Sequence, residues 1–385
     1  MKRAVVLSGG GSKGSYEIGV WKALRRLHIK YDIVTGTSIG ALNGALMTQK
    51  TYLKALYIWH KLSLEYLFEQ QPKSDTKKDI LRLYGDNFLK NGGMDIKKIE
   101  SIIRKGINMK RFYKSDIDYG LVTFNFSTKK PLVISKKDIS EDKLIDYLMA
   151  SATCYPAFQM KDIDGDKYID GGFYDNLPVN LALKLGATEA IIVDLRAPGL
   201  KRLPKGNIKT TYIKPKNKIS FFLDFNSEQA KINMNFGYND TMKAFKRLDG
   251  DYFTFRKDEI SKFYEKNKDN LSKLLGTSIT KKQLLKLIED IGKEFKLQED
   301  LTYYLDDYFR IIKDKANSCE KITKEIEKQI KSKKISRAIN SKLITLFFLR
   351  NITSKKRENK ALSIFFSKNY KQALLLSYMG VNYGE

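Results

Sequence analysis

Histidine is nearly missing from this chain: 385 residues contain two, His28 and His60. Any reaction that needs an imidazole base therefore rests on one of them. His28 ends the first helical stretch, and His60 lies in the helical run Tyr57-Ile58-Trp59-His60; neither has the flanking pattern of a catalytic histidine. Cysteine is as scarce. Cys154 and Cys319 are far apart and near no other ligand-type pattern, which excludes a disulfide framework and a Cys-based metal site. Free thiols fit a reducing compartment. Only 7 prolines occur, which argues against long disordered linkers. Long apolar runs are also lacking. Nothing reaches the roughly 18 residues of a membrane span. After Met1-Lys2-Arg3 only four apolar residues follow, Ala4 to Leu7, fewer than the roughly 7–15 of a secretory signal. The expected placement is the cytoplasm.

What the chain has is positive charge: 71 basic against 44 acidic residues, a net +27. Such an excess favours polyanions, either nucleic acid or an anionic membrane surface, or it is a solvated Lys-rich surface. No sequence pattern of a nucleic-acid-binding fold is present, so nucleic acid is the weaker expectation. The charge is uneven. Residues 251–330 carry 17 basic and 16 acidic side chains, and residues 331–372 carry 12 basic and one acid, Glu358. Within the latter, Lys342 to Arg350 and Ile364-Phe365-Phe366 set apolar residues among Lys and Arg. That pattern suits peripheral contact with an anionic membrane surface, or a helical subdomain packed on a catalytic core.

With 42% hydrophobic residues the chain can bury a sizeable core. Arg3 to Leu7 and Ile33 to Thr37 read as buried strands, each followed by a helical pattern. Strand, helix, strand, helix at this spacing implies a mostly parallel sheet with helices on its faces, an α/β architecture. Tyr119–Phe126 with Leu132–Ser135 reads as a hairpin, and Phe158–Asp170 as two short strands about Asp164-Gly165. Beyond about residue 250 strand signals disappear and helical patterns take over. The expected division is a catalytic domain over residues 1–250 and a helical C-terminal domain over 251–385.

Between the first strand and its helix lies Gly9-Gly10-Gly11-Ser12-Lys13-Gly14. Gly9, Gly11 and Gly14 match the dinucleotide-binding fingerprint, but the acid that motif needs is misplaced: Asp32, the local candidate, starts the second strand instead of ending it. Consecutive glycines also let backbone N–H groups converge on one point, and the helix behind them adds positive potential. Such a loop holds the oxyanion of an acyl-transfer intermediate as readily as a phosphate. The loop alone leaves both chemistries open.

A second motif weighs between them. Gly36-Thr37-Ser38-Ile39-Gly40 lies between a strand and a helix, the setting of a nucleophile elbow. The turn is tight, so the residues two before and two after the serine must be small. Ser38 then projects from the strand end, with the Ile39 N–H as one oxyanion donor and Gly10 and Gly11 as others. With both histidines set aside, a carboxylate within reach of the serine and partly desolvated can act as the base. Asp170-Gly171-Gly172, after a short strand, fits that role; by itself it is also an ordinary Asp-Gly turn.

Taken together and in this order, the three motifs resemble the patatin-like phospholipase family over about residues 1–215. The resemblance implies a three-layer α/β fold and hydrolysis of lipid acyl esters by a Ser–Asp dyad. It assigns the nucleophile to Ser38, the base to Asp170, and the oxyanion hole to Gly9, Gly10 and Gly11. Lys13 matches the basic position of the glycine loop, where it anchors that loop or meets a phosphate head group. Gly14, Gly36, Gly40, Gly171 and Gly172 are motif positions, and Asp175-Asn176-Leu177-Pro178 looks like the family's structural segment after the catalytic Asp. Ser8 stands where many members carry Asp. No metal or organic cofactor is implied. A thioesterase or general carboxylesterase would use the same dyad. An NAD(P)-dependent oxidoreductase and a non-catalytic membrane- or protein-binding module are the readings from other classes.

Overall fold

The computed structural model describes residues 2–68, 72–74, 76–319, 322–333, 339–356 and 359–383. The chain divides into two compact units, Met1–Ala244 and Phe245–Glu385.

The first unit is built on one eight-stranded sheet. Its strands are β1 (Arg3–Leu7), β2 (Ile33–Thr37), β3 (Asp118–Asn125), β4 (Lys130–Ser135), β5 (Lys161–Ile163), β6 (Asp166–Asp170), β7 (Glu189–Val193) and β8 (Lys209–Ile213). Five of them, in the spatial order β8-β7-β1-β2-β3, are parallel. Because side chains alternate along a strand, β1 serves two cores. Ala4 and Val6 pack with Ile33, Ile192 and Val179 under the helix Val179–Lys184. Leu7 faces the other way and, with Val34 and Tyr119, meets Gly44 of helix α2 (Ile39–Thr48). Helix, sheet, helix is the expected three-layer arrangement. Helix α1 (Ser15–Arg26) crosses the long helix Ser227–Ala244 where Gly19 and Gly237 bring the two backbones together; a Cβ at Gly19 would lie 1.9 Å from the Met234 carbonyl oxygen.

The other three strands are antiparallel to their neighbours, and their register places the site. β4 and β6 both pair with residues 123–125 of β3, so they lie on opposite edges of it. β2 and β4 both pair with residues 120–122, so they too lie on opposite edges. β2 and β6 therefore share one edge of β3. β2 runs parallel to it and ends with Thr37 opposite Val122; β6 runs antiparallel and ends with Asp170 opposite Thr123. The two strands meet head to head.

The second unit has its own apolar core, in which Phe253, Leu284, Ile312, Leu346 and Leu375 are fully buried. It is mostly helical, with one departure from expectation. Thr254–Phe255 and Thr302–Tyr303 form a two-stranded parallel sheet, too short to leave a period-two signal. The basic stretch Lys342 to Arg350 lies on the helix Ser341–Thr353. Ile344 to Leu349 are buried in this unit's core, so their apolar side chains are packing rather than a membrane-facing stripe. Ile364 and Phe365 do remain exposed. Among the described residues no helix is long and apolar enough to cross a membrane.

Candidate active site

The head-to-head strand ends put residues 38 and 170 side by side. Ser38 follows β2 immediately and caps α2 with φ 57° and ψ −128°, a conformation a non-glycine residue holds at a cost of about 1–3 kcal/mol. Its neighbours impose it. The Ser38 N–H donates to Ser151 Oγ (2.9 Å), and the Ser151 hydroxyl donates to the Val122 carbonyl (2.7 Å). The Ser38 carbonyl accepts from Ala41 and Leu42 at the start of α2. The hydroxyl lies in the same cavity as the Asp170 carboxyl and draws its pKa down against burial.

Asp170 is held as firmly. Its N–H donates to the Thr153 carbonyl (2.8 Å), and its Oδ1 accepts the Gly172 N–H (2.7 Å). Burial pushes its carboxyl up to about 6, against the opposing pull of the Ser38 hydroxyl and the Gly172 N–H. A carboxylate there is a base strong enough for a serine proton and still ionised at neutral pH. Cys154 lines the same cavity, but burial first and the Asp170 charge second push its thiol up to about 12, so it stays a thiol.

The glycine loop arches over this pair, though not as expected at every position. The Gly9 N–H donates to the Asn176 carbonyl (3.1 Å), so it is no oxyanion donor. Gly9 serves by lacking a side chain: a Cβ there would lie 2.2 Å from Asn176 Oδ1 and 3.0 Å from Ser38 Cβ. Gly10 and Gly11 line the cavity with Ser38, and Ile39 lines the recess beside it. Gly11 has φ 54°, and a Cβ on it would stand 2.0 Å from the Phe222 carbonyl oxygen. Lys13 is not among the cavity-lining residues. Its ammonium donates to the Arg196 carbonyl (3.4 Å), so it anchors the cavity rim. Gly14 lets the glycine loop pack on Ile39, and Gly171 sits against the Val122 carbonyl and Thr37.

Two contributors had no local sequence signal, and a third had only a faint one. Ser151 supports the elbow from the helix Leu144–Ala152, 113 residues away. Phe222 closes over the glycine loop through a carbonyl that accepts the Ser12 N–H (2.9 Å). Asn176 was legible only as part of a structural segment; its amide ties the Gly9 and Pro198 carbonyls together (3.4 and 3.2 Å).

A polar chain runs behind the elbow. Trp59 Nε1–H donates to Asn43 Oδ1 (3.0 Å), and Asn43 Nδ2 donates to Glu17 Oε2 (2.8 Å). Glu17 Oε1 has no hydrogen-bond partner among the described residues. Burial raises the Glu17 carboxyl well above its ordinary 4.5, which favours its neutral form in the native state. Stability gained that way is present in full below the unfolded pKa. It is lost as pH rises toward the native one, at up to about 1.4 kcal/mol per pH unit. Glu17→Gln keeps the shape and the acceptor for Asn43 but removes the titration. Its melting temperature is expected to depend less on pH than the parent's between about pH 5 and 8, and to exceed it at the alkaline end. Parallel curves would show that Glu17 is not held neutral.

The site opens into a cavity of about 520 Å³, walled by Phe158, Phe173, Leu200, Phe222, Leu223 and Phe225. An apolar recess of about 70 Å³, lined by Leu42, Leu46, Trp59 and Ile103 among others, also opens on Ser38.

The sequence matches the family model described as Patatin-like phospholipase over residues 5–183. This stretch is a patatin-like phospholipase domain. It contains both strand ends and both halves of the Ser38–Asp170 pair. The chain is 30% identical over 200 residues to the mouse (Mus musculus) Patatin-like phospholipase domain-containing protein 6, covering 50% of this chain and 13% of that protein. It is 27% identical over 205 residues to Lysophospholipase nte1 of Aspergillus terreus, with 50% and 12% covered. With the cUMP-AMP-activated phospholipase of Escherichia coli it shares 24% identity over 206 residues, covering 47% of this chain and 58% of that protein. The patatin-like match thus spans about one-eighth of the first two relatives' length.

Proposed function

We propose that the chain is a serine acyl hydrolase that cleaves lipid acyl esters with Ser38 as nucleophile and Asp170 as base. The observation that carries this reading is the meeting of β2 and β6 along β3, which sets a hydroxyl against a buried, basic carboxylate at the floor of an apolar cavity. The patatin-like domain and the names of its relatives support the same chemistry.

In this mechanism Asp170 takes the Ser38 proton as Oγ attacks the ester carbonyl. The N–H groups of Gly10, Gly11 and Ile39 hold the resulting oxyanion. Collapse expels the alcohol, which leaves with the proton from Asp170. Asp170 then deprotonates a water that attacks the acyl-enzyme, and the proton returns to Ser38 as the acid departs. Because only the ionised carboxylate accepts a proton, kcat/KM is expected to fall tenfold per unit as pH drops below about 6, and to level off above it. The direct test is labelling with a fluorophosphonate probe. The expected adduct is on Ser38, with a rate that follows the same pH limb. An adduct elsewhere, or none at all, removes the assignment.

The apolar recess supports a place for the acyl chain. Leu46→Phe fills it, so the ratio of octanoyl- to acetyl-ester turnover is expected to drop about tenfold or more, since one methylene in such a pocket already changes turnover tenfold. An unchanged chain-length profile would put the acyl chain in the larger cavity.

A further inference from the structure

One face of the first unit is left over by the hydrolytic reading. Leu195 to Leu223, between β7 and the helix Ser227–Ala244, contains eight basic residues and no acidic one, in a chain whose overall ratio is 71 to 44. Both ends of the segment help wall the cavity, through Leu200 at one end and Phe222 and Leu223 at the other. Its two ends therefore form part of the cavity's rim, and the stretch between them runs out from that rim.

The rim is ordered by the catalytic segment. The Leu200 N–H donates to the Gly172 carbonyl (2.9 Å), and the Leu200 carbonyl accepts the Asn176 N–H. The Arg202 N–H donates to Asp175 Oδ1 (3.4 Å), and the Arg202 guanidinium stacks on Tyr174. Held this way, residues 198–207 are all exposed, and two of them are leucines: Leu200 at 61% and Leu203 at 86%. Phe173, beside the mouth, is 49% exposed. Further on, Lys214, Lys216 and Lys218 are exposed while Ile213, Pro215, Asn217 and Ile219 between them are buried, so the lysines project in one direction at period two.

From this we infer that the rim Leu195–Leu223 docks the protein on an anionic lipid bilayer, with Leu200, Leu203 and Phe173 entering the interface and the basic side chains meeting the head groups. Charge complementarity alone fits any polyanion. The leucines decide between them, because a phosphate backbone offers no apolar phase for exposed leucines beside a cavity mouth, and the acyl boundary of a bilayer does. The arrangement also gives a lipid a path from bilayer to Ser38 without crossing water. The occupant rests on the reading of the cavity as a lipid ester site; the docking itself does not require turnover.

The test is flotation of the full-length protein with vesicles of phosphatidylcholine alone and of phosphatidylcholine with phosphatidylserine. Two variants are compared with the parent, Leu203→Asp/Lys205→Glu and Lys214→Glu/Lys218→Glu; none of these residues is among the cavity lining. The parent is expected to float with the anionic vesicles only. Each basic residue near an anionic surface strengthens binding about fivefold, so each double variant is expected to weaken it tenfold or more. Hydrolysis of vesicle lipid falls in parallel, and turnover of a dissolved short-chain ester stays at the parent's level. Equal flotation of all three proteins overturns the proposal. So does unaltered flotation of Leu203→Asp alone together with displacement of the vesicles by a DNA duplex, which would make the rim a general polyanion site. If the parent floats as expected and the variants do not, yet no protein turns over any ester, docking stands and the hydrolase reading fails.

Discussion

Ser38→Ala is expected to lower kcat/KM for a dissolved ester on the order of 10⁴-fold, and Asp170→Asn by a similar factor, since an amide cannot accept the serine proton. The double variant should lose no more than either single one, because the two groups act on one proton in one step. What remains is the binding and oxyanion stabilisation that the cavity and the Gly10, Gly11 and Ile39 N–H groups supply. Thermal unfolding separates this from misfolding. Asp170 is buried with its carboxyl raised to about 6, so ionising it costs native-state stability above that pH. Asp170→Asn is therefore expected to melt no lower than the parent at alkaline pH while being inactive. A Ser38→Ala protein that turns over esters at the parent's rate would end the dyad assignment. Multiplicative losses in the double variant would mean that the two residues serve separate steps.

Alanine at Gly36 is expected to destabilise the first unit by about 3 kcal/mol, the upper end of ordinary overpacking, and to abolish activity with it. The reason is close approach of backbone to backbone. A Cβ at Gly36 would lie 2.2 Å from the Gly40 carbonyl oxygen, and one at Gly40 would lie 2.6 and 2.7 Å from the carbonyl oxygens of Leu7 and Ser8. Neither obstacle is a side chain that can rotate away. Relief requires α2 to move off β1 and β2, which carries Ser38 away from Asp170. Gly85 is the control: it sits in the helix Lys77–Asn91 with nothing within 4 Å of its missing Cβ. Gly85→Ala should stabilise by about 1 kcal/mol through helix propensity alone. Urea denaturation of the two variants beside the parent reads both signs. A Gly36→Ala protein as stable as Gly85→Ala would mean that the elbow is not packed as described.

Local chemistry explains which features could be read in advance. β1 and β2 are buried on both faces, so each is a short run of mostly uncharged residues leading into a glycine-bearing turn and a helical pattern, and Arg3–Leu7 and Ile33–Thr37 are legible on that ground. The elbow is legible because steric crowding restricts residues two positions either side of the serine, a constraint written within five residues. The glycine loop is legible as a loop, but not in its division of labour. Gly9 and Gly10 are the same residue type, and only the carbonyl of Asn176, 167 residues further on, decides which N–H is already engaged. The stretch Lys342 to Arg350 leaves two readings open for a related reason: basic residues flanking apolar ones describe a helix with two faces, and the pattern does not say whether the apolar face meets lipid or protein. Its neighbours in the second unit's core decide that.

Residue types and their spacing by themselves determined the α/β alternation, the serine at a constrained strand-to-helix turn and the absence of a suitably placed histidine. Each is a matter of periodicity, local sterics or composition, effects that act over a few residues or need no positions at all. Only the tertiary structure brings a carboxylate 132 positions away beside that serine. That depends on β2 and β6 sharing one edge of β3 with opposed directions and abutting registers, so that Thr37 and Asp170 stand opposite consecutive residues. Strand pairing is a long-range hydrogen-bonding choice, and no local pattern encodes which edge a strand will take.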